Sequence, residues 1–259
     1  MTEPGPLYRW IAGDLRRKIR DGTLPAGTRL TQDAVAAEYG TSVTTVRGAF
    51  AQLANEGLVD QKTGRHAGGT YVRDRITWTY HASRAGKVVG QHSESDLYIT
   101  EVRAQGGDPS QRLEVSTLRL DAQIAERLGV PEGERGVLRR AIRSINGVPS
   151  SLADSYFPSV MVGRVPELAQ PEDVKPGTTR LLAARGYSLI AYRDEITVRI
   201  PTPEEAELLD LGKGTPVLIE TRTGYTVDGP VRVTVSTYAG DRIRLIHTIG
   251  DAAAIQEDP

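Results

Sequence analysis

The stretch GTSVTTVRGAFAQLANEGL, residues 40–58, decides how this chain is read. Gly40 breaks whatever helix precedes it. Ser42 then offers a hydroxyl that can accept from an orphaned amide at the start of a new helix. Val46, Phe50 and Leu53 recur at helical spacing and mark one apolar face. Gly57 stops the helix after Glu56. Its first turns carry Val43, Thr44, Thr45 and Arg47, which are free to face outward.

Working outward, Leu7, Ile11, Leu15 and Ile19 recur every four residues and predict a helix that ends near Gly22. Leu24-Pro25-Ala26-Gly27 reads as a turn, and a short helix follows over Gln32 to Tyr39, with Val35 and Ala36 inward. Downstream, Leu58–Thr63 and Thr70–Arg73 read as two short strands around a glycine-rich loop that carries Arg65 and His66. Three helices and a hairpin make a winged helix-turn-helix, whose second motif helix presents its N-terminal residues to base edges in the major groove. The candidate DNA contacts are therefore Gln32, Ser42, Thr44, Thr45 and Arg47 on the helices, with Arg65, His66 and Thr70 on the wing. An arginine at this place can grip guanine O6 and N7 together, which is worth ~1–3 kcal/mol of discrimination. Arg16, Arg17, Lys18 and Arg20 on the first helix read as a solvated face.

Residues 75–95 show no periodicity and read as a linker between a first domain at 6–74 and a second at 96–249. The second domain is rich in strands, at Leu97–Gln105, Arg112–Leu120, Gly136–Asn146, Ser151–Phe157, Ile190–Ile200, Val217–Val227 and Val231–Tyr238. Helices fit Ala122–Leu128, Thr179–Ala184 and Pro203–Leu211; Thr202 and Glu205 form a capping box for the last. An internal repeat links Ala125-Glu126-x-Leu128…Gly133 to Ala206-Glu207-x-Leu209…Gly214, 81 residues later (206 − 125). Two such helix–turn–hairpin units could share one antiparallel sheet about a pseudo-twofold axis. Strand alternation groups Arg139, Ala141 and Arg143 on one face, and likewise Arg232, Thr234, Ser236 and Tyr238.

Bulk properties limit the function. Residues 1–75 hold 11 Lys+Arg against 8 Asp+Glu, so +3, and the remainder of the −1 chain is −4. A basic head on an acidic body suits a nucleic-acid module joined to another domain. Cysteine is absent, no histidine pair has ligand spacing, and no window approaches the ~18 apolar residues of a membrane span. The N-terminus has no secretory pattern. The expectation is a cytoplasmic protein without metal or cofactor. No nucleophile–base pair or phosphate loop appears, and Asp194 and Glu195, adjacent on a strand, point to opposite faces, so an enzyme is not expected.

The series Ile11…Leu15-Arg16…Ile19…Gly22, Pro25-Ala26-Gly27-Thr28-Arg29-Leu30, Ala36-Ala37-Glu38-Tyr39-Gly40, Ser42-x-Thr44-Thr45-Val46-Arg47, Leu53 to Val59 and Gly69-Thr70-Tyr71-Val72 resembles the winged helix of the GntR family. Two departures stand out. Thr31-Gln32-Asp33 replaces the family's common Pro-Ser-Glu-Arg, and Val43 stands where an arginine is usual. Both remove a basic side chain, which implies an altered operator sequence or a lower affinity. From Leu97 to Leu245 the chain is similar to the UTRA domain of the HutC branch, an antiparallel sheet with helices that is related in fold to chorismate lyase. This resemblance rests on Gly147-x-Pro149 leading to Asp154-Ser155-Tyr156-Phe157-Pro158, and on Gly229-Pro230-Val231 leading to Ser236-x-Tyr238-x-Gly240-Asp241-Arg242.

In sugar-phosphate-sensing members, the positions of Ala141 and Arg143 are commonly both arginine. Those of Ala153 and Arg232 are commonly glutamate, and Tyr238 matches a ligand-facing tyrosine. The resemblance implies an effector site of Arg139, Arg143, Arg232, Thr234, Ser236 and Tyr238. Loss of both glutamates argues against an amino-sugar phosphate, and Arg143 with Arg232 favours a carboxylate or another anion. The fold expected is α+β, a winged helix-turn-helix followed by a chorismate-lyase-like (UTRA) domain. The function expected is a homodimeric repressor on a double-stranded inverted-repeat operator, released by a small-molecule effector. Ligand-independent repression is the alternative, and a lyase-like enzyme or a protein-binding adaptor the remote ones.

Overall fold

The computed structural model describes residues 6–62, 69–73, 78–82, 94–175, 177–212 and 214–248. The chain forms two compact units, Met1–Ile76 with Ile200–Pro216, and Thr77–Arg199 with Val217–Pro259.

The first unit opens with α1 (Leu7–Arg20), β1 (Arg29–Leu30), α2 (Gln32–Tyr39), α3 (Val43–Asn55), β2 (Val59–Lys62) and β3 (Gly69–Val72). Thr31 caps α2 by accepting from the Ala34 amide at 3.3 Å, and Gly40 closes that helix at φ 59°. Ser42 caps α3 by accepting from the Thr45 amide at 3.2 Å. The three residues between these helices force a sharp turn. Ile11, Leu15, Val35, Val46, Phe50 and Leu53 close on Leu58, Val59 and Val72 in one buried core. Each such side chain contributes about 1.5–3 kcal/mol relative to exposure. The wing strands pair in the order β1-β3-β2, all antiparallel. Two-residue β1 is too short to show a period and was not expected from the sequence.

The second unit is built on an antiparallel sheet of β5 (Pro109–Arg119), β6 (Arg135–Ile145), β7 (Val148–Pro158), β8 (Ala191–Arg199), β9 (Val217–Thr226) and β10 (Gly229–Ala239), in the order β5-β6-β7-β10-β9-β8. The internal repeat is present in its register. Leu113 pairs with Ala141 between β5 and β6, and Asp194 pairs with Arg222 between β8 and β9. Both partners have advanced by 81 residues (194 − 113; 222 − 141). Arg143 opposite Ser151 likewise becomes Gly224 opposite Arg232. The bulge beyond each of these pairs recurs at the equivalent place. A pseudo-twofold axis passes between β7 and β10, where Ser155–Thr234 maps onto Ser236–Ala153.

The connections repeat too. α5 (Ala122–Leu128) is capped by Asp121 and α8 (Pro203–Leu208) by Thr202. Gly129 and Asp210 both take positive φ after these helices, and Gly133 and Gly214 both lie at φ 77°. α5 packs through Ile124, Ala125 and Leu128 on the sheet face that carries Val233 and Val235. The opposite face is covered at one end by α4 (Glu94–Ala104) with the parallel pair β4 (Trp78–His81) and β11 (Ile243–Ile246), and at the other by α6 (Ser159–Arg164) and α7 (Thr178–Ala184).

Two sequence expectations are corrected. Leu97–Gln105 is helix, not strand: Tyr98 and Val102, four apart, bury one helical face, and this outweighs the local alternation of Leu97 and Ile99. The stretch read as a linker contains β4, whose hydrogen-bond partner β11 lies about 165 residues away and leaves no local trace.

Candidate functional site

In the first unit, Arg29, Gln32, Val43, Arg47, Ala51, Gly69 and Thr70 line an open cleft of about 750 Å³ between the helix pair and the wing strands. Thr44 and Arg47 are exposed on the leading turns of α3. The Arg47 Nε donates to Gln32 Oε1 at 3.1 Å. Ser42 and Thr45 have their hydroxyls 2.9 Å apart and are engaged at the helix cap. The structure thus brings Gln32, Arg47 and Thr70 into one cleft. Arg65 and His66 lie outside the described residues. Arg29 also lines the cleft; its adjacency to the wing emerges only once β1 pairs with β3.

In the second unit, one sheet face carries three cross-strand rows. The first is Arg139, Ser155, Thr234, Arg222 and Asp194; the second Ala141, Ala153, Ser236 and Glu220; the third Gln111, Arg143, Ser151, Tyr238 and Leu218. Two cavities of about 70 Å³ open on this face. One is lined by Tyr80, Tyr98, Glu101, Arg143, Glu220, Arg222, Thr234, Ser236 and Tyr238 among others. The other is lined by residues including Gln111, Arg139, Ala141, Arg143, Ala153, Ser155 and Thr178. Arg143 borders both.

The charges of the first cavity are mostly compensated. Arg222 donates to Asp194 at 2.7 and 2.8 Å, to Glu220 at 3.1 Å and to the Ala82 carbonyl at 2.9 Å. Tyr238 donates to Glu220 Oε2 at 3.1 Å, and Glu101 accepts from the His81 amide at 3.3 Å. Burial, first of all causes, pushes the Tyr80, Tyr98 and Tyr238 hydroxyls up, and Tyr98 donates to the Ser144 carbonyl at 2.7 Å. Arg143 differs. Its guanidinium sits 4.9 Å from the Tyr98 ring centre, and its buried Nε has no hydrogen-bond partner among the described residues. Among the described residues, Tyr80 Oη, Gln111 Oε1 and Ser151 Oγ are buried without partners as well. Such orphaned atoms each cost about 1–3 kcal/mol, so a cluster of them asks for a polar guest.

The remaining expected residues are placed differently from one another. Thr234, Ser236 and Tyr238 line the first cavity. Arg139 lines the second, but it donates to the carbonyls of Leu168, Gln170 and Glu172 at 2.6–3.0 Å and so holds that loop. Arg232 is 1% exposed, donates to the hydroxyls of Thr178 and Thr179, and lines neither cavity. Sequence reasoning missed Tyr80, Tyr98, Glu101, Glu220 and Arg222. Glu220 and Arg222 had left a signal, opposite charges two apart in an otherwise uncharged strand. Asp194, Glu220 and His247 bring possible metal-ligand atoms within 4.8 Å of one another, but Arg222 already supplies a cation to both carboxylates.

The family model for bacterial regulatory proteins, gntR family, matches residues 7–72, and that for the UTRA domain matches residues 104–244. An uncharacterised HTH-type transcriptional regulator of Rhizobium meliloti (strain 1021) is 32% identical over 92% of this chain and 93% of its own. The HTH-type transcriptional repressor NagR of Bacillus subtilis (strain 168) is 26% identical over 94% and 95%. Among solved structures, a GntR-family transcriptional regulator superposes with a TM-score of 0.59 at 29% identity, covering 95% of this chain and 98% of its own.

Proposed function

The chain belongs to the GntR family of bacterial regulatory proteins and carries a UTRA domain, and from this premise we propose that it is a homodimeric repressor released from an inverted-repeat operator by a small anionic effector. DNA binding lies with the cleft around Gln32, Arg47 and Thr70. Two such heads would meet half-sites about 34–36 Å apart, or a multiple of that. The effector binds on the sheet face, and it can release DNA only through unequal affinity for the DNA-competent and DNA-incompetent states. The single observation that carries the anionic reading is Arg143, an arginine that borders both cavities and whose buried Nε has no hydrogen-bond partner among the described residues. A carboxylate would supply the missing charge-assisted bonds. This replaces the pairing of Arg143 with Arg232, since Arg232 is engaged by Thr178 and Thr179.

The test is fluorescence anisotropy with the duplex immediately upstream of the protein's own gene, at about 50 and 200 mM salt, where a protein making several phosphate contacts loses ~10³–10⁵ in affinity. Carboxylates, inorganic phosphate and sugar phosphates are then titrated into the complex. Release by a carboxylate that is lost in Arg143→Met, with DNA affinity intact, supports the reading. Tighter binding of a sugar phosphate than of any carboxylate overturns the ligand class. Repression indifferent to the whole panel points to ligand-independent action.

A further inference from the structure

The two copies of the repeat use their helix–turn segments differently. In the first copy, α5 packs on the sheet, and a side chain at Gly133 would meet nothing within 4 Å. In the second copy, residues 200–216, with α8, belong to the same compact unit as α1–α3 and the wing. A Cβ at Gly214 would lie 2.5 Å from the Asn55 carbonyl oxygen, at the C-terminal end of α3. A Cβ at Gly212 would run into the Arg73 guanidinium. The same backbone turn, with φ 77° at both glycines, is thus open in one copy and seated in the other.

Arg73 is the pin of this seat. It follows β3, and its amide donates to the Leu58 carbonyl at 3.0 Å. Its side chain, 2% exposed, donates from Nε and Nη2 to Asp60 Oδ1 at 2.9 and 2.5 Å. Its Nη1 donates to Thr215 Oγ1 at 2.6 Å. One buried guanidinium therefore joins the wing root, through Asp60 on β2, to the seated turn. Leu209, fully buried, and Thr215, 3% exposed, flank the turn in sequence.

We propose that residues 200–216 are the coupling element of this protein, a copy of the helix–turn unit recruited to hold the end of α3 and the root of the wing. The segment continues directly into β8 at one end and β9 at the other. Those strands carry Asp194, Glu220 and Arg222, the charge cluster at the edge of the first cavity. A shift of β8 against β9 is delivered through this segment to the helix that reads DNA. The regulatory meaning of this coupling rests on the function proposed above; the coupling itself does not.

The experiment is a double-variant cycle read by amide hydrogen exchange on the full chain, without ligand or DNA. Arg222→Gln removes the two-pronged contact from β9 to Asp194 on β8. It is expected to speed exchange in those strands and, through the segment, to change exchange at residues 53–60 by about fivefold. In the Gly214→Ala background, where the turn cannot seat, Arg222→Gln is expected to leave residues 53–60 unchanged. Thr215→Val, which keeps the backbone and loses the Arg73 contact, gives the same comparison if Gly214→Ala does not fold. Asp194→Asn replaces Arg222→Gln if the latter leaves the strands unperturbed. Faster exchange in β8 and β9 with no change at 53–60, or a change there that persists undiminished in both seat variants, overturns the proposal. Neither result bears on operator binding, which the anisotropy assay decides separately.

Discussion

Arg47→Ala tests the placement of the DNA-reading cleft most directly. In the structure Arg47 is exposed on α3, and its Nε donates to Gln32 Oε1 at 3.1 Å; in the proposed complex its Nη groups would take the base edge. A two-pronged grip on one guanine is worth ~1–3 kcal/mol, which converts to roughly a 5- to 150-fold loss of operator affinity on truncation. The loss should fall on the operator and spare random duplex. Gln32→Ala should weaken the operator less, because it frees the guanidinium without removing it. Arg47→Lys should not restore affinity, since an ammonium lacks the planar fork. Anisotropy on operator and scrambled duplexes at several salt concentrations measures all three. If Arg47→Ala weakens both duplexes equally and lowers the salt slope by about 1, Arg47 is a phosphate contact, and the base-reading argument fails.

Two further outcomes test the scaffold. Gly107→Ala would set a Cβ 2.7 Å from Trp78 and Val102 and 2.9 Å from Ile145; overpacking of this kind costs about 1–3 kcal/mol, and the melting temperature should fall accordingly. Asp14→Asn addresses acid stability. Hydrogen bonds from Tyr39, then from Arg17 and Lys18, hold the Asp14 carboxyl near about 2, below its ordinary 3.8. A depressed carboxyl stabilises the fold above its ordinary value and loses that contribution as pH falls toward the folded one. Urea midpoints measured at about pH 6 and pH 2.5 should differ more in the wild type than in Asp14→Asn.

Local chemistry made much of the fold legible. Ser42, Gly40, Thr202 with Glu205, and the apolar spacing of α1 and α3 each act within a few residues, and the structure holds them as capping and periodicity require. Contacts between distant parts of the chain left less trace. β4 exists because Ile243–Ile246 lies beside it, and Leu97–Gln105 is helical because Tyr98 and Val102 find Ile145 and Tyr238 to pack on. The candidate site divides in the same way. Alternation placed Arg143, Thr234, Ser236 and Tyr238 on the cavity face. It could not tell that Arg232 would be enclosed by Thr178 and Thr179, since that depends on how α7 caps the sheet. Nor could it assign Tyr80 and Glu101, which approach the sheet from elements whose position is set by tertiary packing.

The repeat explains why a nearly symmetric sheet has an asymmetric site. Advancing Arg139, Ala141, Ala153 and Ser155 by 81 residues gives Glu220, Arg222, Thr234 and Ser236, so the two cavities are pseudo-equivalent. In the second copy, an acid and a base occupy the positions of Arg139 and Ala141, and with Asp194 they satisfy one another. In the first copy, Arg139 is drawn off by three loop carbonyls, and Ala141 and Ala153 offer no polar group. Arg143 breaks the symmetry, because its counterpart is Gly224, which has no side chain to oppose or neutralise it. Two copies of a cationic strand would have repelled one another across the axis, and two self-compensated copies would have left nothing for a charged guest. With the second copy's charges engaged among themselves, Arg143 of the first copy is the cation that borders both cavities, and the hydroxyls of Thr234, Ser236 and Tyr238 from the second copy face it across the first.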